Sequence, residues 1–347
     1  MKTIIPTRLI GPVAIVNDYF SEEIRVPLAT LETPLWFSVN RGARVTRKNG
    51  GIWVTIVQSS MSRSILLEAE NTKLVNTVIH DLPNHRKEME ACVVSISQHT
   101  KLIDWHTQVV ANLLYLRFSF FTGGAAGHNM STKAAERLQQ WLINKYPGLS
   151  YVSVSGNYCT DKKNSSVNGI LGRGKYVVAE LTISREICED LLHTTPEKIV
   201  NLNIKKNLIG SIISGGVRTA NAHFANMLLA FYLAMGQDAA NLVEGSQGIT
   251  HAEVREGNLY FSVTLPNIIV GAIGGNTNLK FIRDNLAIFK FMENYSLELQ
   301  SSCLAIIAAA VVWCGELSLL ASQAVPGELM RSHIVLERKQ DKRIKKI

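Results

Sequence analysis

Residues 112–153 carry the pattern that most restricts the fold. "NLLYLRFSFF" (112–121) is rich in aromatic and branched side chains and reads as a strand. "TGGAAG" (122–127) follows as a flexible loop. In "HNMSTKAAERLQQWLINKY" (128–146), Ala134, Leu138, Trp141 and Leu142 fall at helical spacing. Pro147 and Gly148 stop that helix, and "LSYVSVS" starts the next strand. Strands and helices recur in both halves of the chain, which indicates an α/β or α+β enzyme with a smaller domain around 65–153.

The remaining segments extend this picture. The chain up to about residue 64 mixes strand-like runs with turns, and "GGIWVTIVQ" (50–58) reads as a strand. Residues 84–112 read as mostly helical. "YVVAELTI" is a strand, and "SREICEDLLH" is a helix capped by Ser184. A longer helix is expected over 219–235, with Phe224, Leu228, Phe231 and Met235 as its core stripe and Gly236 as its end. Another is expected from about 299 to 324. The apolar run from Cys303 to Cys314 is too short to span a bilayer and meets Glu316, so it reads as a buried helix.

With 347 residues, 46% of them hydrophobic, the chain can bury a large core, in two domains. Its net charge is +8, part of it in the tail "ERKQDKRIKKI". The excess elsewhere suits polyanionic small molecules such as nucleotides or coenzyme A. No helix-turn-helix, zinc-finger or ribonucleoprotein signature accompanies it, so nucleic acid is the weaker reading. Five scattered cysteines without a CxxC pair fit free thiols in a reducing cytosol, and no metal site is expected. "MKTIIPTRLIGPVAIV" is a poor signal peptide, so the expected location is cytoplasmic, without a membrane.

Several groups could carry chemistry, each with a plainer reading beside it. The loop at 122–127, with Gly123, Gly124 and Gly127 ahead of a helix, is either a tight turn or a place where backbone amides meet a phosphate. "GAIGGNT" (271–277) carries the same two readings. In "SGNYCTDKK" (155–163), Lys162 is flanked by Asp161 and Lys163. It either stabilises a developing oxyanion or belongs to a solvated loop. Glu32 has mostly apolar neighbours and reads as a carboxyl held protonated, or as a surface residue ahead of Pro34. Asp238, after the helix-ending Gly236, is a candidate acid or merely caps the next helix. His223 and Asn226 are three apart on one helix face, a spacing that is usually structural. His333 stands alone in "LMRSHIVLERK".

Taken together, longer motifs carry a resemblance. "VSGNYCTDKK" (154–163), "GRGK" (172–175), "NIKKNLIGS" (203–211), "NAHFAN" (221–226), "GQDAAN" (236–241) and "GELSLLA" (315–321) occur in order, with "ATLET...NRG" (29–42) and "RSH" (331–333). Over roughly residues 5 to 339 the chain resembles 3-hydroxy-3-methylglutaryl-CoA reductase, in the class I catalytic form. The resemblance implies an α+β fold. A large substrate-binding α/β domain (1–64 and 154–347) would hold the CoA thioester. An inserted small ferredoxin-like domain (65–153) would hold the nicotinamide nucleotide. It also implies a homodimer or higher homo-oligomer with shared active sites.

The implied reaction reduces a thioester to an alcohol by two hydride transfers, giving mevalonate and free CoA. On the matching positions the catalytic groups are Glu32, Lys162, Asp238 and His333. Lys162 would stabilise the oxyanion, and Glu32 would donate or recover a proton. Asp238 would order these charges, and His333 would protonate the CoA thiolate. Arg63, Ser155, Asp161, Lys163 and Lys206 match the grip on the hydroxymethylglutaryl part. Ser38, Asn40, Arg41, His223 and Asn226 match positions near CoA or substrate. Ser97, Gly127, His128, Asn129, Gly274 and Gly275 match nucleotide contacts. The chain departs from the family pattern at Thr33-Pro34 beside Glu32, at "GGAAGHN", and at "ISQH", where Gln98 stands for an arginine. NADPH is the expected cofactor, NADH the second choice. The alternative to a reductase is a non-catalytic relative that binds CoA or nucleotide as a sensor or scaffold.

Overall fold

The computed structural model describes residues 3–275, 277–331 and 334. In chain order the elements are β1 (Thr7–Val16), β2 (Ser21–Ala29), α1 (Thr33–Lys48), β3 (Ile52–Ala69), α2 (Thr72–Asp81), α3 (Arg86–Val94), β4 (Lys101–Val110), β5 (Leu113–Phe121), α4 (His128–Lys145) and β6 (Leu149–Ser153). There follow α5 (Ser166–Leu171), β7 (Gly174–Ile183), α6 (Arg185–Leu192), α7 (Pro196–Leu202), a π-helical segment (Asn203–Ile209), α8 (Gly210–Ile213), α9 (Phe224–Ala234), α10 (Leu242–Gly245), β8 (Ile249–Arg255), β9 (Asn258–Ile268), α11 (Lys280–Leu286) and α12 (Leu297–Gln323).

The 18-residue strand β3 organises the molecule. Its first half, Trp53–Ser60, pairs antiparallel with β7 and extends the order β2-β1-β3-β7-β9-β8. Its second half, Met61–Ala69, pairs with β5 on one edge and β6 on the other, giving the order β4-β5-β3-β6, all antiparallel. The sheet is mixed, because β1 meets β3 in parallel through Ile15↔Ile52. Two cores result. The larger gathers Val39, Val177, Phe231, Phe261, Ile307 and Trp313. The smaller gathers Ile65, Leu67, Val78, Leu116, Phe118 and Leu138 beneath α2, α3 and α4.

β5 shows how the sequence sets this up. Leu114, Leu116, Phe118 and Phe120 alternate into the smaller core, as a period of two requires. Arg117, on the opposite face, is also buried, with its guanidinium donating to the Gly172 carbonyl at 2.6 Å. That bond ties the smaller core's sheet to the chain leaving α5.

α12 is long and apolar enough to cross a membrane by composition, yet 94% of that stretch is buried inside the fold. It packs against α1, α9 and β7. Ser296 caps its start, accepting from the Leu299 amide at 3.2 Å. At the α1 crossing, a Cβ on Gly42 would lie 2.2 Å from the Cys314 carbonyl oxygen, so the two backbones touch.

The structure corrects several element readings. Residues 33–48, taken as part of a strand-and-turn region, form α1, with a proline at its start and Arg47 and Lys48 in its last turn. Residues 101–110, read as helical, form β4. This edge strand is exposed along most of its length, so its side chains show no apolar alternation. The helix expected from 219 begins at Phe224, because the Asn221 side chain accepts the Phe224 amide at 3.2 Å and turns the chain first.

Candidate active site

The loop "SGNYCTDKK" crosses from the smaller core back to the larger one. Asn157, Thr160 and Lys162 have φ values of 56, 42 and 57°, a region that costs non-glycine residues about 1 kcal/mol or more each. Buried side chains hold the loop in place. The Ser64 hydroxyl accepts the Tyr158 and Cys159 amides at 3.1 Å and contacts the buried Cys159 Sγ at 3.4 Å. Asn168 Nδ2 donates to the Thr160 carbonyl at 3.2 Å.

The loop delivers Lys162 to Asp238, with Nζ 2.7 Å from Oδ2. Asp238 also caps the short 3-10 turn Ala239–Asn241, accepting the Ala240 amide at 3.0 Å. Asp238 thus both pairs with Lys162 and caps that turn. Its hydrogen bond raises the Lys162 pKa. Burial by itself raises the Asp238 carboxyl, but Lys162 and the Ala240 amide outweigh it and hold it below its usual value.

Beneath this pair lies a layer of buried charge. Asp161 Oδ1 is 3.0 Å from Arg173, and Oδ2 is 3.7 Å from Arg63. Arg173 also meets Glu244 at 2.5 Å, with both side chains fully buried. Burial pushes the Glu244 carboxyl up to about 7, against the pull of Arg173. His128 Nε2 sits 3.2 Å from Asn241 Oδ1, and burial, with Arg173 next, lowers its pKa.

The two glycine loops, read separately in the sequence, meet here. Ala125 bridges to Ile273, and the Ala272 amide donates to the Gly124 carbonyl at 2.8 Å. Gln237 clamps Gly271 from both sides, accepting its amide at 2.8 Å and donating to its carbonyl at 3.1 Å. Gly127, Gly274 and Gly275 have φ of 93, 87 and 58°. A Cβ on Gly274 or Gly275 would project into open space, so the bare backbone is open to close approach. The first turn of the 18-residue helix α4, His128 to Met130, lines the same cleft, where helix amides lack intrahelical partners. With a volume of about 480 Å³ and with Arg63, Lys162 and Asn129 on its walls, it fits a phosphate-bearing nucleotide.

A second cleft, of about 570 Å³, holds a different set of residues. Glu32, at the start of α1, is exposed, and its Oε2 accepts from Asn226 Nδ2 at 3.0 Å. Among the described residues, the apolar surroundings expected for this carboxyl are not found. Asn226 Nδ2 also lies 3.4 Å from His223 Nδ1. His223 is the N-cap of α9, ahead of the helix and not on its face. Ser38 contacts Ser318 at 3.0 Å, and Asn40 accepts the Gly11 amide at 2.7 Å. Arg41 donates to Ser318 at 2.9 Å, and burial lowers its pKa. Lys206 lies in the π-helical segment, 3.1 Å from Asn207 Oδ1, and burial lowers its pKa too.

The predicted residues therefore fall into two groups on one chain. Arg63, Gly127, His128, Asn129, Asp161, Lys162, Asp238, Gly274 and Gly275 line the first cleft. Glu32, Ser38, Asn40, Arg41, His223 and Asn226 line the second. Ser155, Lys163, Ser97 and Lys206 line neither. Lys163 turns back on the Asp161 carbonyl at 3.1 Å, and Ser97 accepts the His99 amide in a local turn. His333 lies outside the described residues. The sequence reading gave no site role to Arg173, Glu244 or Glu316, although each sits in a quoted motif or beside one. It also missed Arg44 and Arg47, which follow Arg41 at helical spacing and line the second cleft.

The same fold occurs in a solved class II 3-hydroxy-3-methylglutaryl-CoA reductase from Streptococcus pneumoniae bound to NADPH. Its TM-score is 0.73 at 18% identity, covering 93% of this chain and 86% of that one. The sequence model described as hydroxymethylglutaryl-coenzyme A reductase matches residues 2–338, and the chain belongs to that family. A 3-hydroxy-3-methylglutaryl-coenzyme A reductase from Pyrococcus abyssi is 42% identical over 96% of this chain and 82% of its own length. Another from Aeropyrum pernix is 39% identical over 96% of this chain and 79% of its own.

Proposed function

We propose that this chain reduces 3-hydroxy-3-methylglutaryl-CoA to mevalonate and free CoA, consuming two NADPH and two protons per thioester. The observation that carries the reading is the Lys162–Asp238 pair, 2.7 Å apart, in the same cleft as two hydrogen-bonded glycine loops. NADPH, when bound, supplies the hydrides. Gly127, Asn129, Gly274 and Gly275 would hold it through backbone and amide groups.

Each hydride addition leaves charge on a carbonyl oxygen. Lys162, whose ammonium form the Asp238 hydrogen bond favours further, stabilises that charge. Asp161 and Arg63 line the cleft where the hydroxymethylglutaryl part would rest, with the buried Arg173 holding Asp161 from behind. Glu32, held by Asn226, carries the proton. His333 would protonate the departing thiolate.

Lys162 and Glu32 line different clefts of one chain, and this supports sites shared between copies. Lys162 of one copy would then meet Glu32 of another, and the second copy would give Glu32 its apolar cover. The segment 65–153 is read as an inserted ferredoxin-like nucleotide domain. The succession of β3, helices, β4, β5, α4 and β6 in the spatial order β4-β5-β3-β6 supports that reading. A cytoplasmic location belongs to the same proposal.

The test is NADPH oxidation on addition of the thioester, with release of free CoA thiol followed in parallel. Two NADPH per thiol are expected, with NADH as the comparison. Folded protein that oxidises neither nucleotide would overturn the proposal.

A further inference from the structure

Glu316 is the one charged residue between Cys303 and Ala321, and it is fully buried. No ion pair reaches it among the described residues. Lys206 lies only within electrostatic reach. Three hydrogen bonds hold the carboxylate instead. Oε1 accepts the Ala222 amide at 2.6 Å and the Thr250 hydroxyl at 2.9 Å, and Oε2 accepts the His223 amide at 3.1 Å. A carboxylate this deep is costly unless such partners compensate it. Two of the three partners lie in the turn that presents His223.

The next residue back completes the grip. His223 Nε2 is 3.0 Å from the Gly315 carbonyl, which can only accept, so Nε2 carries the proton. Asn226 Nδ2 donates to the Glu32 carboxylate at 3.0 Å and lies 3.4 Å from His223 Nδ1, so that nitrogen faces a donor and takes the acceptor role. This fixes the direction of the Asn226 amide. A Cβ at position 315 would lie 2.4 Å from Met227 Sδ, so any residue larger than glycine there must displace that side chain. α12 can therefore come close enough for its carbonyl to reach the ring.

We propose that Glu316 is a positioning residue. With the Gly315 carbonyl it locks His223 in the Nε2–H tautomer, and through Asn226 it aims the Glu32 carboxylate. This rests on the reading of Glu32 as the proton carrier. Glutamine at 316 keeps the volume but offers one acceptor oxygen, so its NH₂ must face an amide or hydroxyl donor, and the turn at 221–223 shifts.

The experiment uses the full chain. In wild type, the His223 ring ¹⁵N signals, assigned against His223→Gln, should show a protonated Nε2 and a bare Nδ1. In Glu316→Gln they should broaden or average. The kcat should fall about 10- to 100-fold. NADPH affinity, which depends on the other cleft, should stay within about twofold of wild type. Adding Glu316→Gln to Asn226→Ala should cost little more than Asn226→Ala alone, because both act on Glu32 through one chain.

Three results would overturn the proposal: an unchanged kcat, losses that multiply in full in the double variant, or NADPH affinity falling in step with kcat. Should Glu316→Gln fail to fold, Thr250→Val removes a single donor. It should lower kcat a few-fold with NADPH affinity intact, and an unchanged kcat overturns the lock. A wild type with the locked tautomer but no turnover would remove the reductase reading and leave the lock standing.

Discussion

Lys162 Nζ and Asp238 Oδ2 are 2.7 Å apart, brought together by a left-handed lysine on one loop and a capping aspartate on another. Because Asp238 raises the lysine pKa, Asp238→Asn should let the ammonium lose its proton at lower pH. The alkaline limb of the kcat profile should therefore move down in pH. Lys162→Met should cost about 10²- to 10³-fold in kcat, the scale of losing one oxyanion donor, with nucleotide binding retained. Steady-state rates across pH, with fluorescence titration of NADPH, check both.

If sites are shared between copies, two inactive variants should complement each other. Lys162→Met spoils the first cleft and Glu32→Gln the second. Mixed and allowed to exchange subunits, they should recover activity well above either alone, because one site in a mixed dimer keeps both groups. No recovery after demonstrated exchange would argue for sites complete within one chain.

Glu244 should leave a mark on stability against pH. Its folded pKa, raised by burial to about 7, exceeds the unfolded value of 4.5. Between these values the native state binds more protons, so stability falls as pH rises through this window. Urea unfolding at pH 5 and pH 8 should show this loss in wild type, and Glu244→Gln should remove most of it. The direction follows from burial, which raises the Glu244 carboxyl against the pull of Arg173.

Gly42→Ala tests the helix crossing. The added Cβ meets backbone at 2.2 Å, which side-chain motion cannot relieve. A loss of about 3 kcal/mol is expected. Because α1 carries Ser38, Asn40 and Arg41, the KM for the thioester should rise more than that for NADPH. Unfolding curves and separate KM measurements decide it.

How much of this was readable in the sequence depended on the kind of signal. β5, α4 and β7 were legible because each buries a regular face. β4 was not, since an exposed edge strand has no face to bury. α1 was missed although Pro34 at its start and Arg47 and Lys48 at its end are ordinary helix signals. The residues of both clefts came from the order of motifs. Their division into two groups could not, because it depends on how β3 and α12 place distant loops. Arg173 and Glu316 stood in quoted motifs without a role, yet a lone acid in an apolar helix already implies buried partners.

β3 has a mechanical consequence. Its 18 residues could span up to about 60 Å as one extended strand, and they feed both cores, with one irregularity of register between Ile56 and Gln58. The smaller lobe therefore cannot swing on a flexible linker. To move, it must twist a hydrogen-bonded strand, while the contact of the loops at 125 and 273 resists from the far side. Small torsions of that beam, not large excursions, would set the width of the first cleft.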